Sequence, residues 1–305
     1  MGDRSVLDVV FEAPDRASCA KRAPRDAEVP WYYRRHHVVT LAAMPPPMPD
    51  KAARSAYLGL LRLLLYGGAY REMPSPPRLS KDAIIGFGNS GQLEMLQVLM
   101  DEVVREGVTG DFVEAGTFKG GVAMYMAGFL SVNDRSRKVW ALDSFSGMPT
   151  PDKITAKTGR FPAGSLATPG GLASVQNDFA RLGLDRYATL VPGWFNETLP
   201  TMPERGLKRI AILRVDSDIY SSIMETLQAL YPKLSAGGYV VFDDYKFPFA
   251  RKAVHDFRRR HGITSRMRWC NASSEPPMHK CPGVHDEFLY WKKAPRARSS
   301  RASTG

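Results

Sequence analysis

Asp216 and the pair Asp243–Asp244 each stand directly after an apolar, β-type run, IAILRV in the first case and YVVF in the second. In a parallel sheet such strand ends line the crevice where ligands bind, so these three carboxylates are placed to converge at one sheet edge. Hard oxygen donors in that number suit Mg²⁺ or Ca²⁺ far better than zinc. A divalent ion there implies chemistry on an oxygen nucleophile or an anionic group. Adjacent carboxylates repel unless a cation or a proton lies between them, which favours a site role for Asp243 and Asp244. Asp218 precedes IYSSIMETLQALY and reads instead as a cap that accepts from the first-turn amides of that helix.

A second group of residues follows the strand DFVEAG, which runs into Glu114-Ala115-Gly116-Thr117-Phe118-Lys119-Gly120-Gly121. Glycine lets backbone approach a ligand closely, and the next helix points its free amides into the same space. The pattern is not GxGxxG, so a dinucleotide fingerprint is not supported. Asp143 ends the strand KVWALDS at about the distance downstream where an acidic residue binds a ribose diol. Glu114, inside the turn, is placed to hold an ammonium group. A glycine turn and a ribose acid without a phosphate-binding lysine loop suit a nucleoside cofactor that lacks phosphates, and S-adenosylmethionine fits that description. Glycine turns after strands are also common as pure structure.

The elements that position these residues alternate regularly. After DFVEAG (111–116) come the helix GGVAMYMAGFL, the strand 138–144, a helix 171–184, a strand 188–194, the strand 209–216 with helix 219–232, and the strand 239–245 with helix AVHDFRRRH. RMRWC (266–270) and EFLYWKK (287–293) read as two closing strands. Such β-α alternation predicts an α/β fold with a doubly wound, mostly parallel sheet and helices on both faces. Upstream, 52–70 and 91–107 read as amphipathic helices, the first with Leu58, Leu61 and Leu65 on one stripe. The expected organisation is therefore an N-terminal arm over 1–50, a helical cap over 51–109, the main domain over 110–293 and a basic tail over 294–305.

The 305 residues carry a formal charge of +11, 44% hydrophobic residues and three cysteines, Cys19, Cys270 and Cys281. The hydrophobic content fits a globular core. The basic residues concentrate in 251–261 and in the tail, where they read as solubilising rather than as a nucleic-acid surface. The cysteines have no CxxC spacing, so neither a zinc site nor a disulfide framework is expected. No apolar run is long enough to span a bilayer, and a cytoplasmic protein is expected.

Taken together, GDFVEAGTFKGG, VWALDSFSGMP, VPGWFNETLP, LRVDSDIYSSIMETLQALYPKLSAGGYVVFDDY and AVHDFRRRHGI resemble the macrocin O-methyltransferase family over residues 80–292. The resemblance implies a class I methyltransferase (Rossmann-like) fold with a helical N-terminal cap. It also implies S-adenosyl-L-methionine and Mg²⁺ as cofactors, a sugar hydroxyl as acceptor and a homo-oligomer. Carried over by motif, Asp216 is expected as metal ligand and general base, with Asp243 and Asp244 as the other metal ligands. Glu114, Gly116 and Thr117 are expected to line the cofactor, Asp143 and Ser144 to meet its ribose, and Gly193 and Trp194 to flank its adenine. Two departures fall near the metal: Ser217 stands where the family often has glycine, and Ser221 where it often has an acidic residue. The competing readings are a metal-dependent O-methyltransferase of catechols or other vicinal diols, a nucleic-acid methyltransferase or binding protein, and a non-catalytic scaffold. Against the nucleic-acid reading, no Asn-Pro-Pro-aromatic motif and no basic-aromatic alternation occur.

Overall fold

The structure is a computed structural model that describes residues 50–65, 84, 90–270 and 288–295. The expectations for the N-terminal arm, for residues 66–70 of the first helix and for most of the tail lie outside these residues.

The domain is built on a seven-stranded sheet. Its strands are β1 (Asp111–Ala115), β2 (Val139–Asp143), β3 (Ala188–Pro192), β4 (Ile210–Val215), β5 (Leu234–Phe242), β6 (Arg268–Cys270) and β7 (Phe288–Lys292), in the spatial order β3-β2-β1-β4-β5-β7-β6. The pairs from β3 through β5 are parallel, and β7 runs antiparallel between β5 and β6. The order reverses between β1 and β4, so a crevice opens where their carboxyl ends diverge. β4 is buried along its whole length, as expected of a central strand covered on both faces.

Helices α1 (Lys51–Leu65), α2 (Ser90–Arg105) and α3 (Gly121–Asn133) belong to one face of this sheet. Their Leu58, Leu61, Leu96, Met100 and Phe129 share one core with Phe112 and Tyr239. α1 lies so close to α3 that a Cβ on Gly128 would collide with Leu61. α1 and α2, which fall within the region expected as a cap, thus contribute to the main core. α2 also reaches the cavity with Gln92, Leu93 and Leu96. Lys292 of β7 bonds Glu102 of α2 and Glu106 just after it, and Tyr239 of β5 donates to Glu102 at 2.7 Å, fixing α2 to the sheet.

The other face carries α7 (Tyr220–Leu230) and α8 (Pro248–Arg260) against Leu213, Val215 and Val240. Shorter helices α4 (Lys153–Ala156), α5 (Gly171–Arg181) and α6 (Phe195–Thr198) occur in the connections. α4 and α6 have too few residues to show a periodicity in sequence. The basic run of α8 is partly used within the fold. Lys252 and Arg259 pair with Asp256, and Arg258 donates to Ser265 O while lying over Trp291. No helix among the described residues is long and apolar enough to cross a membrane.

β7 matters because β5 ends at the acidic pair. Trp291 is fully buried, stacks on Phe242 at 5.1 Å and donates to Tyr231 Oη at 3.2 Å. Trp291→Ala is expected to cost about 3–5 kcal/mol, the range for truncating a core aromatic. Urea denaturation checks this, and a loss under 1 kcal/mol would show that β7 does not brace β5.

Candidate active site

The site begins where β1 and β4 come closest. Gly116 leaves β1 with φ +90°, and a Cβ there would overlap the carbonyl of Asp216. Asp216 N donates to Ala115 O at 2.8 Å, and Gly116 N to Leu142 O at 2.9 Å. Glycine is thus required at 116 by backbone packed against backbone, which brings the β1 turn and the acidic loop after β4 into one wall. Ser217, where the family often has glycine, has no positive φ. Its hydroxyl donates to Ala115 O at 3.2 Å. The strained residue of this loop is Asp218, at φ +57°, a conformation that Asp tolerates better than most residues.

Arg214 lies under this wall. It is the one charged side chain of a wholly apolar strand and is only 4% exposed, so its guanidinium needs partners. It donates to Glu114 Oε1 at 2.7 Å, to Asp216 Oδ2 at 2.6 Å and to Asp243 Oδ1 at 2.8 Å. One cation thereby serves three acids. Glu114 loses the competition. Burial, only partly offset by Arg214 and reinforced by the Asp216 charge, pushes its carboxyl up to about 8. Its Oε2 is buried and has no hydrogen-bond partner.

Oxygens of Asp216, Asp218 and Asp244 all lie within 4.8 Å of one another. Burial raises the carboxyls of Asp218 and Asp244 well above the ordinary range, with mutual repulsion and the charges of Asp216 and Asp243 adding to it. Asp216 and Asp244 therefore meet as the sequence suggests. The third member of the cluster is Asp218, whereas Asp243 is turned onto Arg214. The reading of Asp218 as a helix cap is corrected: the N-cap of α7 is Ile219, with no side-chain capping bond of its own. Its first-turn amides are served from another segment. Asp152 accepts from Ser221 N at 3.1 Å, and Thr155 Oγ1 accepts from Tyr220 N at 3.1 Å.

A cavity of about 720 Å³ runs over this wall, within the usual range for small-molecule sites. Its lining includes Gly116, Thr117, Asp143, Ser144, Gly193 and Trp194, the residues expected around a nucleoside. Asp143 accepts from Thr117 N and Phe118 N at 2.8 Å each and from Phe145 N at 2.7 Å. Burial nevertheless raises its carboxyl. Asp143 thus shapes the turn after β1. Arg160, Phe161, Lys246 and Phe247, all at least partly exposed, also line the cavity as a rim, with Arg160 4.8 Å above the Phe247 ring. All ten residues singled out by sequence lie on this cavity: Glu114, Gly116, Thr117, Asp143, Ser144, Gly193, Trp194, Asp216, Asp243 and Asp244.

Arg214 went unassigned in the sequence, although an arginine inside IAILRV is a signal that a buried counter-charge exists. The rim residues Arg160 and Phe161 sit in the long 144–170 connection, where no periodicity marks them.

The raised carboxyl of Glu114 has a consequence for stability. A group that holds its proton at 4.5 when unfolded and at about 8 when folded stabilises the fold fully below the lower value. That contribution is lost as pH rises through the upper one. In chelator-treated protein, thermal unfolding between pH 5 and 8.5 is expected to show falling stability, and Glu114→Gln is expected to flatten the fall. Parallel profiles for the two proteins would show that Glu114 is ionised throughout.

The model of the macrocin O-methyltransferase family (TylF) matches residues 77–274. The mycinamicin III 3''-O-methyltransferase of Micromonospora griseorubida is 40% identical over 183 residues, 57% of this chain and 70% of that protein. An 8-demethyl-8-(2,3-dimethoxy-α-L-rhamnosyl)-tetracenomycin-C 4'-O-methyltransferase of Streptomyces olivaceus is 36% identical over 237 residues, 70% of this chain and 88% of that protein. Among solved structures, the O-methyltransferase NovP superposes with a TM-score of 0.66 at 29% identity, covering 79% of this chain and all of that one. With the family model matched over most of the chain and a relative 36% identical over 88% of its length, the chain belongs to the macrocin O-methyltransferase family and is an S-adenosylmethionine-dependent O-methyltransferase.

Proposed function

We propose that this enzyme methylates a sugar hydroxyl of a glycosylated natural product, with a divalent cation, Mg²⁺ by donor chemistry, at the acidic cluster. The observation that carries the reading is the convergence of Asp216, Asp218 and Asp244 on a cavity that is also lined by the residues expected around a nucleoside. The relatives named above act on sugar-bearing compounds, and this supports the acceptor class. The donor set fits a hard cation. One guanidinium leaves several buried carboxylates uncompensated, and those carboxylates are hard oxygen ligands. When bound, such an ion acidifies a coordinated hydroxyl and helps to orient it.

Asp216 and Asp244 are the residues assigned to hold the ion. Both come from strand ends, and Asp244 is further fixed by the Asp218 amide at 3.3 Å. The general base is reassigned from Asp216 to Asp218. Asp216 has an oxygen on Arg214 at 2.6 Å, and a carboxylate held by a cation is a poor proton acceptor. Asp218 is not paired with Arg214, and its raised carboxyl brings its basicity nearer to working pH. Asp218 would take the acceptor's hydroxyl proton as that oxygen bonds to the methyl carbon, and S-adenosylmethionine would supply the methyl group and leave as S-adenosylhomocysteine. Glu114, with its unpartnered Oε2, would hold the amino group of the methionine moiety. Asp143 and Ser144 would hold the ribose, and Gly193 and Trp194 would flank the adenine. Holding both substrates at attack distance supplies much of the remaining acceleration.

Asp218→Asn is expected to lower kcat by at least about 10²-fold, the usual worth of a positioned base, with S-adenosylmethionine affinity unchanged within a factor of two. Asp244→Asn is expected to raise the Mg²⁺ concentration needed for half-maximal activity by about 10-fold or more. Steady-state kinetics with a deglycosylated and a glycosylated macrolide or anthracycline acceptor, with and without chelator, test both assignments. Full activity of Asp218→Asn, or equal turnover of the deglycosylated acceptor, would overturn the reading.

A further inference from the structure

A helix that follows a catalytic loop is usually capped by the residue that enters it, and here that task would compete with the site. The carboxylate nearest in sequence to the free amides of α7 is Asp218. If it turned back to accept from Tyr220 N or Ser221 N, it would leave the cluster with Asp216 and Asp244. In the structure both amides are already satisfied by the 144–170 connection, sixty-odd residues upstream. Asp152 uses all of its acceptor capacity in this arrangement. Oδ1 accepts from Ile154 N and Thr155 N, and Oδ2 from Thr155 Oγ1 at 2.9 Å and Ser221 N at 3.1 Å. The Thr155 hydroxyl passes the link on by accepting from Tyr220 N, and Thr155 is wholly buried. The same connection supplies Met148, Arg160, Phe161 and Leu166 to the cavity and is tied to the cofactor turn by Thr168 Oγ1 on Phe118 O at 3.0 Å.

We propose that Asp152, through Thr155, is a positioning residue for the acidic cluster: it caps α7 from a distant segment and so releases Asp218 to face Asp216 and Asp244. The proposal rests on the reading of that cluster as a cation site. It also makes the acceptor-side connection and the acidic loop one mechanical unit, because the rim residues and the α7 cap belong to the same segment. The left-handed conformation of Asp218 agrees with a residue held out of its ordinary capping geometry.

The test uses the full-length chain and four variants, Asp152→Ala, Asp152→Asn, Thr155→Val and Thr155→Ser. Mn²⁺ affinity is read by electron paramagnetic resonance, S-adenosylmethionine affinity by calorimetry, and kcat and KM separately. Asp152→Ala and Thr155→Val are expected to lose about 10–100-fold in Mn²⁺ affinity and in kcat, the usual cost of removing an outer-shell partner, with cofactor affinity within two-fold. Thr155→Ser, which keeps the hydroxyl, is expected to behave as the unmodified enzyme, and Asp152→Asn to fall between. A double-mutant cycle with Asp218→Gly, which accepts the left-handed backbone and has no side chain to cap with, adds a readout that general destabilisation does not move. In the unmodified enzyme Asp218→Gly relieves repulsion and leaves Tm unchanged or higher, whereas in the Asp152→Ala background, where Asp218 has become the cap, it lowers Tm. Mn²⁺ affinity and kcat unchanged in Asp152→Ala and Thr155→Val would overturn the proposal while leaving the cation site standing. Failure of the unmodified enzyme to bind Mn²⁺ would overturn both. Should Asp152→Ala not fold, the contrast between Thr155→Val and Thr155→Ser decides.

Discussion

Arg214 is the constraint on which the site depends. A guanidinium almost wholly removed from water must be matched by anions, and the fold supplies Glu114 from β1, Asp216 from the end of β4 and Asp243 from the end of β5. These three strands are neighbours in the sheet, so the arginine also pins their carboxyl ends to one another at the switch point. The arrangement over-supplies negative charge. Because one cation cannot satisfy three carboxylates together with Asp218 and Asp244 nearby, protonation of some of them, or a second cation, must follow. The raised carboxyls of Glu114, Asp218 and Asp244 are one answer. The divalent ion proposed above and a sulfonium cofactor with a free amino group would be the complementary answer.

The surrounding structure keeps this charge in place. Gly116 allows the β1 turn to press on the Asp216 carbonyl, and Trp291 braces β5 from the far side. Asp143 spends its carboxylate largely on the Thr117, Phe118 and Phe145 amides, so the turn proposed to receive the nucleoside is held in shape by the protein itself. Preorganised polar groups of this sort cost stability in the resting enzyme and lower the reorganisation needed during reaction.

Much of this was legible in the sequence. Apolar runs ending in aspartate located both acidic strand ends, and β-α alternation gave the parallel part of the sheet, because period and burial are local signals. The closing strands were legible as strands, but the insertion of β7 between β5 and β6 was not, since strand order is a long-range property. Asp218 shows the main limit. Its position before a helix matches a cap, and nothing local reveals that Asp152, sixty-odd residues away, has taken that role. Likewise, Asp243 and Asp244 are equivalent in sequence, yet one faces Arg214 and the other the cluster, because successive residues leaving a strand point in different directions.

The central claim is that Asp216 and Asp244 hold a divalent cation at the mouth of the cofactor cavity. Anomalous diffraction from crystals of the full chain grown with S-adenosylhomocysteine and Mn²⁺ tests it most directly. The account predicts an anomalous peak with oxygens of Asp216 and Asp244 within about 2.0–2.6 Å, the range of hard-cation coordination, with Asp218 beside it. Ordered S-adenosylhomocysteine in the cavity with no peak at these carboxylates would contradict the account.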